Sequence, residues 1–98
     1  MKDLSKKMEL GKKTAEIVNN TQKLLATSLS CLAQSEDYVQ MIDYMIEVLQ
    51  SIKLGAIIDK ELDNEDVSLE DVEIKVSDLE KRYEELRKTA KEVLEKMI

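Results

Sequence analysis

Apolar residues in the last third of the chain recur at alternating steps of three and four. This spacing averages 3.5 residues and places one narrow apolar stripe on a helix that packs against other helices. Nine positions follow it without a miss: Leu69, Val72, Val76, Leu79, Tyr83, Leu86, Ala90, Val93 and Met97. We predict a helix over about 68–98. Ser68 is its N-cap, and Glu70 and Asp71 lie in its first turn, where the helix dipole favours negative charge.

The first third carries two neighbouring stripes. The predicted seam steps by four and three through Leu4, Met8, Gly11, Ala15, Val18, Gln22, Leu25, Leu29 and Leu32. A second stripe recurs every seven residues at Leu10, Ile17, Leu24 and Cys31, with Thr14, Thr21 and Ser28 in its gaps. Together they form one broad face, which predicts a helix over about 4–33 that contacts more than one neighbour.

The middle of the chain is its most apolar stretch and predicts a helix over about 36–61, with Ser35 as N-cap. Polar residues form only one thin stripe there, so this helix is either enclosed in a bundle or part of a subunit interface. Gly55 could kink the helix. The alternative is a break at Gly55, with a short fourth helix near 56–62. The polar linker 63–67 then separates this region from the last helix.

These elements predict an all-α fold, an antiparallel three-helix bundle with coiled-coil-like seams in one domain over 1–98. The short break near Ser35 forces the second helix to run back along the first. The composition agrees, because the chain has no proline, two glycines and only three aromatic residues, all tyrosines. Such a core consists of aliphatic side chains, which suits helix-on-helix packing.

The charge of the chain argues against a direct nucleic-acid ligand, since phosphate contacts need clustered Lys and Arg. The net charge is −6, distributed as +3 over residues 1–34, −7 over 35–67 and −2 over 68–98. The opposed charges could attract each other within the bundle or in an oligomer, or could be solvated faces of different sign. No run is long and apolar enough for a membrane span. The single cysteine, Cys31, is compatible with a reducing compartment, so we expect a cytoplasmic protein.

Candidate catalytic and metal-binding residues are scarce. The chain has no histidine, the commonest general base and metal ligand. Cys31 continues an apolar stripe and is interpreted as a core residue. Acids at Asp59, Glu61, Asp63 and Glu70 match the spacing of a calcium-binding EF-hand loop, but Asn64 stands where the sharp turn needs glycine. An ordinary acidic turn is the preferred interpretation. We predict no enzyme activity, no metal and no cofactor.

The surplus of apolar surface predicts a homo-oligomer, with a dimer favoured, or a binding site for another protein. The interface candidates are Tyr38, Met41, Ile42, Met45, Ile46, Leu49, Ile52, Leu94, Met97 and Ile98. The leading hypothesis is a non-catalytic protein–protein interaction module: a small helical adaptor, inhibitor or chaperone-like factor. The alternatives are an oligomer that sequesters a small ligand or ion, and an acidic inhibitor that imitates nucleic acid.

Overall fold

Three long helices make up the computed structural model, which describes residues 2–34, 36 and 38–95. They are α1 (Lys2–Leu32), α2 (Tyr38–Leu62) and α3 (Leu69–Glu95). Side chains are described for 4–34, 36 and 38–92, and no strand occurs among the described residues. The predicted all-α class is confirmed.

The contacts between helices define an up-down-up bundle of 53 × 17 × 17 Å. Gly11 faces Leu62 and Val18 faces Gly55, so α1 and α2 are antiparallel. The ammonium groups of Lys6 and Lys13 bind the carboxylates of Glu73 and Glu80 at 3.0 and 2.9 Å. Since both pairs advance by seven residues, α1 and α3 are parallel. Each helix contacts the other two, which confirms the three-helix bundle.

The predicted seam of α3 is its buried face. Val72, Val76, Leu79, Leu86 and Ala90 are buried, while Leu69 and Tyr83 are half-buried. Met97 and the side chain of Val93 lie outside the described part of the chain. The helix begins as predicted, because the Ser68 hydroxyl accepts a hydrogen bond from the Asp71 amide at 3.5 Å, the N-cap arrangement.

The seam predicted for α1 is wrong, because it is not the buried line of the helix. Leu4, Met8 and Leu29 are more than half exposed. The buried line instead runs through the second stripe and the small polar residues between its members: Leu10, Thr14, Ile17, Thr21 and Ser28. The hydroxyls of Thr14, Thr21 and Ser28 donate hydrogen bonds to carbonyls four residues earlier. The acceptors are Leu10, Ile17 and Leu24, at 2.7, 2.7 and 2.8 Å. With their hydrogen bonds satisfied locally, these residues pack as small core side chains.

Helix α2 continues through Gly55, so no separate fourth helix forms at 56–62. It starts at Tyr38, two residues later than predicted. A periodic apolar pattern predicts that a helix is present more reliably than it predicts the residue at which the helix begins. Glu36 lies in a bend before the helix, and the predicted cap Ser35 lies outside the described residues. The buried line of α2, the inner seam, is Met41, Tyr44, Val48, Ser51, Gly55 and Ile58.

At Gly55, α2 packs tightly against the Val18 side chain of α1. A Cβ atom at this position would collide with Cγ2 of Val18. The glycine is thus required by helix packing and does not end the helix.

The core consists of two apolar clusters. One contains Leu10, Ile17, Ile58, Val72, Val76 and Leu79, and the other contains Tyr44, Val48, Leu86 and Ala90. Since Val18 faces Gly55 in an antiparallel pair, buried Thr21 and Ser51 fall at the level between them. A small polar layer therefore separates the two clusters.

Candidate functional site

The outer face of α2 exposes a row of large aliphatic side chains. Val39, Ile42, Ile46 and Leu49 are separated by steps of three, four and three, and 46% to 72% of each is exposed. We call these four residues the outer stripe. Proteins commonly expose single apolar residues, whereas these four are aligned on one face of the helix.

The outer stripe lies nearly opposite the inner seam. Each residue of a helix turns by about 100°, so Ile46 lies roughly 160° from both Tyr44 and Val48 around the helix axis. Tyr44 and Val48 are buried between α1 and α3, whereas Ile46 points away from both helices. Helix α2 thus carries an apolar line on each side, and the bundle covers only one of them.

The continuation of the outer stripe changes from aliphatic to basic. The same three-four spacing reaches Lys53, Ala56 and Lys60, all exposed. Near the other end of this face lie the acids Asp43 and Glu36, which are exposed as well. The outer face of α2 therefore has an aliphatic half flanked by acids and a second half that carries lysines.

The structure divides the predicted interface residues into three groups. Tyr38, Ile42, Ile46 and Leu49 are exposed, and Met45 and Ile52 are half-buried beside them. Met41 is 1% exposed and belongs to the core, where no partner can reach it in this conformation. Leu94 lies in α3, its side chain is not described, and Met97 and Ile98 fall outside the described residues.

Two exposed residues of this region, Val39 and Ile57, were missed by the sequence prediction. The signal for Val39 was present, because it begins the three-four spacing that continues through Ile42, Ile46 and Leu49. The apolar excess of α2 concealed that spacing.

No titratable group belongs to the outer stripe. Among the described residues, no group of three His, Cys, Asp or Glu side chains could hold a metal ion. The EF-hand-like spacing is split between two helices, with Asp59 and Glu61 in α2 and Glu70 in α3. The Glu61 carboxylate instead binds the ammonium of Lys75.

Tyr44, the one side chain of α2 whose pKa is strongly shifted, faces the core. Burial raises the pKa of Tyr44 to about 12, with smaller contributions from Glu47 and Tyr83. Its hydroxyl donates a hydrogen bond to the carbonyl of Leu86 at 3.0 Å, which joins α2 to α3. This tyrosine is a structural residue of the core and lies away from the outer stripe.

A groove of about 340 Å³ between α2 and α3 is lined by side chains of both charge signs: Glu47, Gln50, Arg82, Glu85, Leu86 and Thr89. This mixed lining favours no particular ligand. Over the described residues, no helix is apolar enough for long enough to cross a membrane.

Comparison with known proteins finds no match among family models, curated proteins or solved structures.

Proposed function

We propose that this chain is a non-catalytic protein–protein interaction module that acts through the outer stripe of α2. The observation that carries the proposal is the alignment of four half-exposed aliphatic side chains on the side of α2 that faces away from the core. Amphipathic helices that dock into a protein groove present anchors at this spacing, three, four and seven residues apart. Ile42, Ile46 and Leu49 have that relation.

Burial of apolar surface supplies the binding free energy in this proposal. Complete burial of one large aliphatic side chain contributes roughly 1.5–3 kcal/mol, and each member of the outer stripe retains 46% to 72% of its surface for a partner. The rest of the bundle already holds α2 as a helix. Few of its side chains therefore lose conformational freedom on binding. A homo-oligomer, a dimer above all, is one form that such an interaction takes.

The test compares two matched substitutions, Ile46→Glu and Ile74→Glu. Both place a carboxylate at an exposed isoleucine, one on the outer stripe and the other on α3. We expect Ile46→Glu to abolish association. Self-association is measured by sedimentation of the purified chain, and binding of a different protein is measured by affinity capture. Ile74→Glu should leave association intact, and circular dichroism should show both variants folded. Equal behaviour of the two variants contradicts the proposal.

A further inference from the structure

Resting on the proposed function, we propose that the occupant of the outer stripe is α2 of a second copy of this chain. The two α2 helices lie antiparallel about a twofold axis. The second copy offers the same apolar line, and a twofold interface must be complementary to itself. The spacing of 3.5 residues on this face is the spacing that a long helix presents to another helix.

The charges on this face select the antiparallel direction. In a parallel pair, each residue of the stripe would lie beside its own copy, so Lys53 would meet Lys53, and Asp43 would meet Asp43. Like charges that face each other oppose association. In an antiparallel pair, the half of α2 that carries Lys53 and Lys60 lies over the half that carries Asp43, with Glu36 just before it.

One register satisfies both the apolar and the charged groups. It places Ile46 opposite Leu49 of the second copy, and the twofold axis repeats this contact. Lys53 then lies opposite Ile42 and beside Asp43 of the second copy. The aliphatic stem of Lys53 covers Ile42 and its ammonium remains in water next to the carboxylate, a common arrangement for lysine.

The length of the contact supports this register over its nearest rival. With Ile46 opposite Leu49, about 20 residues of each α2 overlap, roughly 30 Å of helix. A shift by one heptad toward the start of α2 would pair Ile42 with Ile46 but would shorten the overlap to about 13 residues, roughly 20 Å. It would also bring the two Asp43 side chains together near the axis. A stable interface needs about 800 Å² per partner, which disfavours the shorter overlap. The opposite shift would lengthen the overlap slightly, but it would place Leu49 opposite Lys53 and Ile42 opposite Lys60, so the aliphatic residues would no longer meet one another.

The flanks of the stripe agree with the longer overlap. In this register, Met45 of one copy lies near Ile52 of the other. Both side chains are half-buried in the single bundle, so the second copy would cover the remainder.

The deciding experiment is a charge exchange measured by equilibrium sedimentation of the purified chain at low salt. Lys53→Glu should weaken the dimer about tenfold, because it replaces two ion pairs by two repulsions. Asp43→Lys should weaken it similarly. The double variant Lys53→Glu/Asp43→Lys should restore the wild-type dissociation constant to within about threefold, since the two exchanged side chains again meet with opposite charges. Lys81→Glu, an exposed change on α3, serves as the charge-matched control.

Each result separates the two proposals. A dimer that Ile46→Glu dissociates and the double variant restores supports the antiparallel pair. A dimer that the double variant fails to restore overturns this arrangement. A wild-type chain that is monomeric at high micromolar concentration, yet binds a different protein through Ile46, overturns self-pairing and leaves the proposed function in place. If no association depends on Ile46, both proposals fail.

Discussion

The two faces of α2 differ in how tightly their side chains are constrained. The buried inner seam combines large residues such as Tyr44 and Ile58 with Ser51 and Gly55, while the outer stripe consists only of valine, isoleucine and leucine. The inner face must fit between α1 and α3, and a methyl group at Gly55 would collide with Val18. The outer face has no such restriction within one chain. Small residues thus mark where two helices approach closely, and exposed large aliphatic residues mark the side that the bundle leaves uncovered.

The largest effect should come from removing a side chain at the inner seam. Ile58 is fully buried and its neighbour Ile57 is 41% exposed. We expect Ile58→Ala to lower the free energy of unfolding by about 2–5 kcal/mol, because the change leaves a cavity in the core. Ile57→Ala should lower it by less than about 1 kcal/mol. Urea denaturation in an Ile46→Glu background measures both without a contribution from association, and equal losses would remove the distinction between the faces.

A methyl group added at the inner face should also destabilise the bundle. Gly55→Ala gains about 1 kcal/mol of helix propensity but overfills the contact with Val18, which typically costs about 1–3 kcal/mol. We expect a net loss of up to about 2 kcal/mol in urea denaturation. Adding Val18→Ala should make the second substitution less harmful than the sum of the two single effects predicts. If the two single effects on the free energy of unfolding simply add, the contact with Val18 is not the cause of the loss in Gly55→Ala.

Replacing Tyr44 by phenylalanine tests a polar contact of the inner seam. The variant loses the hydrogen bond to the Leu86 carbonyl and should be about 1 kcal/mol less stable at neutral pH. The exposed Tyr38→Phe, by contrast, should be nearly neutral. Denaturation of both variants by urea at pH 7 provides the comparison, and equal losses would mean that the buried hydroxyl contributes nothing specific.

The same residue should make stability depend on alkaline pH. Burial raises the pKa of Tyr44 in the folded chain from 10.0 to about 12, so the fold favours the neutral phenol. This contribution is complete below about pH 10 and is lost as the pH rises through 12. The midpoint of urea denaturation should fall more steeply over that window in wild type than in Tyr44→Phe, and parallel curves would contradict the assignment.

The smallest effect should have the opposite sign. The hydroxyl of Ser51 is buried and has no hydrogen-bond partner, whereas that of buried Ser28 donates to the Leu24 carbonyl. We expect Ser51→Ala to raise the free energy of unfolding by up to about 1 kcal/mol. Ser28→Ala should lower it or leave it unchanged. A loss of stability in Ser51→Ala would indicate that its hydroxyl binds water in solution.

Much of the fold could be predicted from local pattern. The predicted seam of α3 is buried or half-buried at all seven of its described positions, because its aliphatic positions alternate with charged ones and leave one choice of face. In α1, the first of the two stripes was wrongly predicted to be the seam. Thr14, Thr21 and Ser28, which accompany the second stripe, are polar in sequence yet buried in the bundle. Their hydroxyls bind carbonyls of the same helix, a local solution that no apolar count detects.

The candidate site could be predicted only in part. The sequence identified α2 as too apolar for two neighbours and named Ile42, Ile46 and Leu49, but it also named Met41, which is buried. On a helix that is apolar nearly all round, composition does not indicate which side faces the core. The close contact between Gly55 and Val18 settles the rotation of α2, and with it the identity of the outer stripe.

The sequence by itself determined that this chain forms long helices and that they pack through aliphatic side chains. These properties follow from local spacing and from the absence of proline. Only the tertiary structure decided which lines of α1 and α2 are buried. That choice depends on how closely two helix backbones can approach and on which hydroxyls find an acceptor, and both are properties of the helix pair, not of either helix alone.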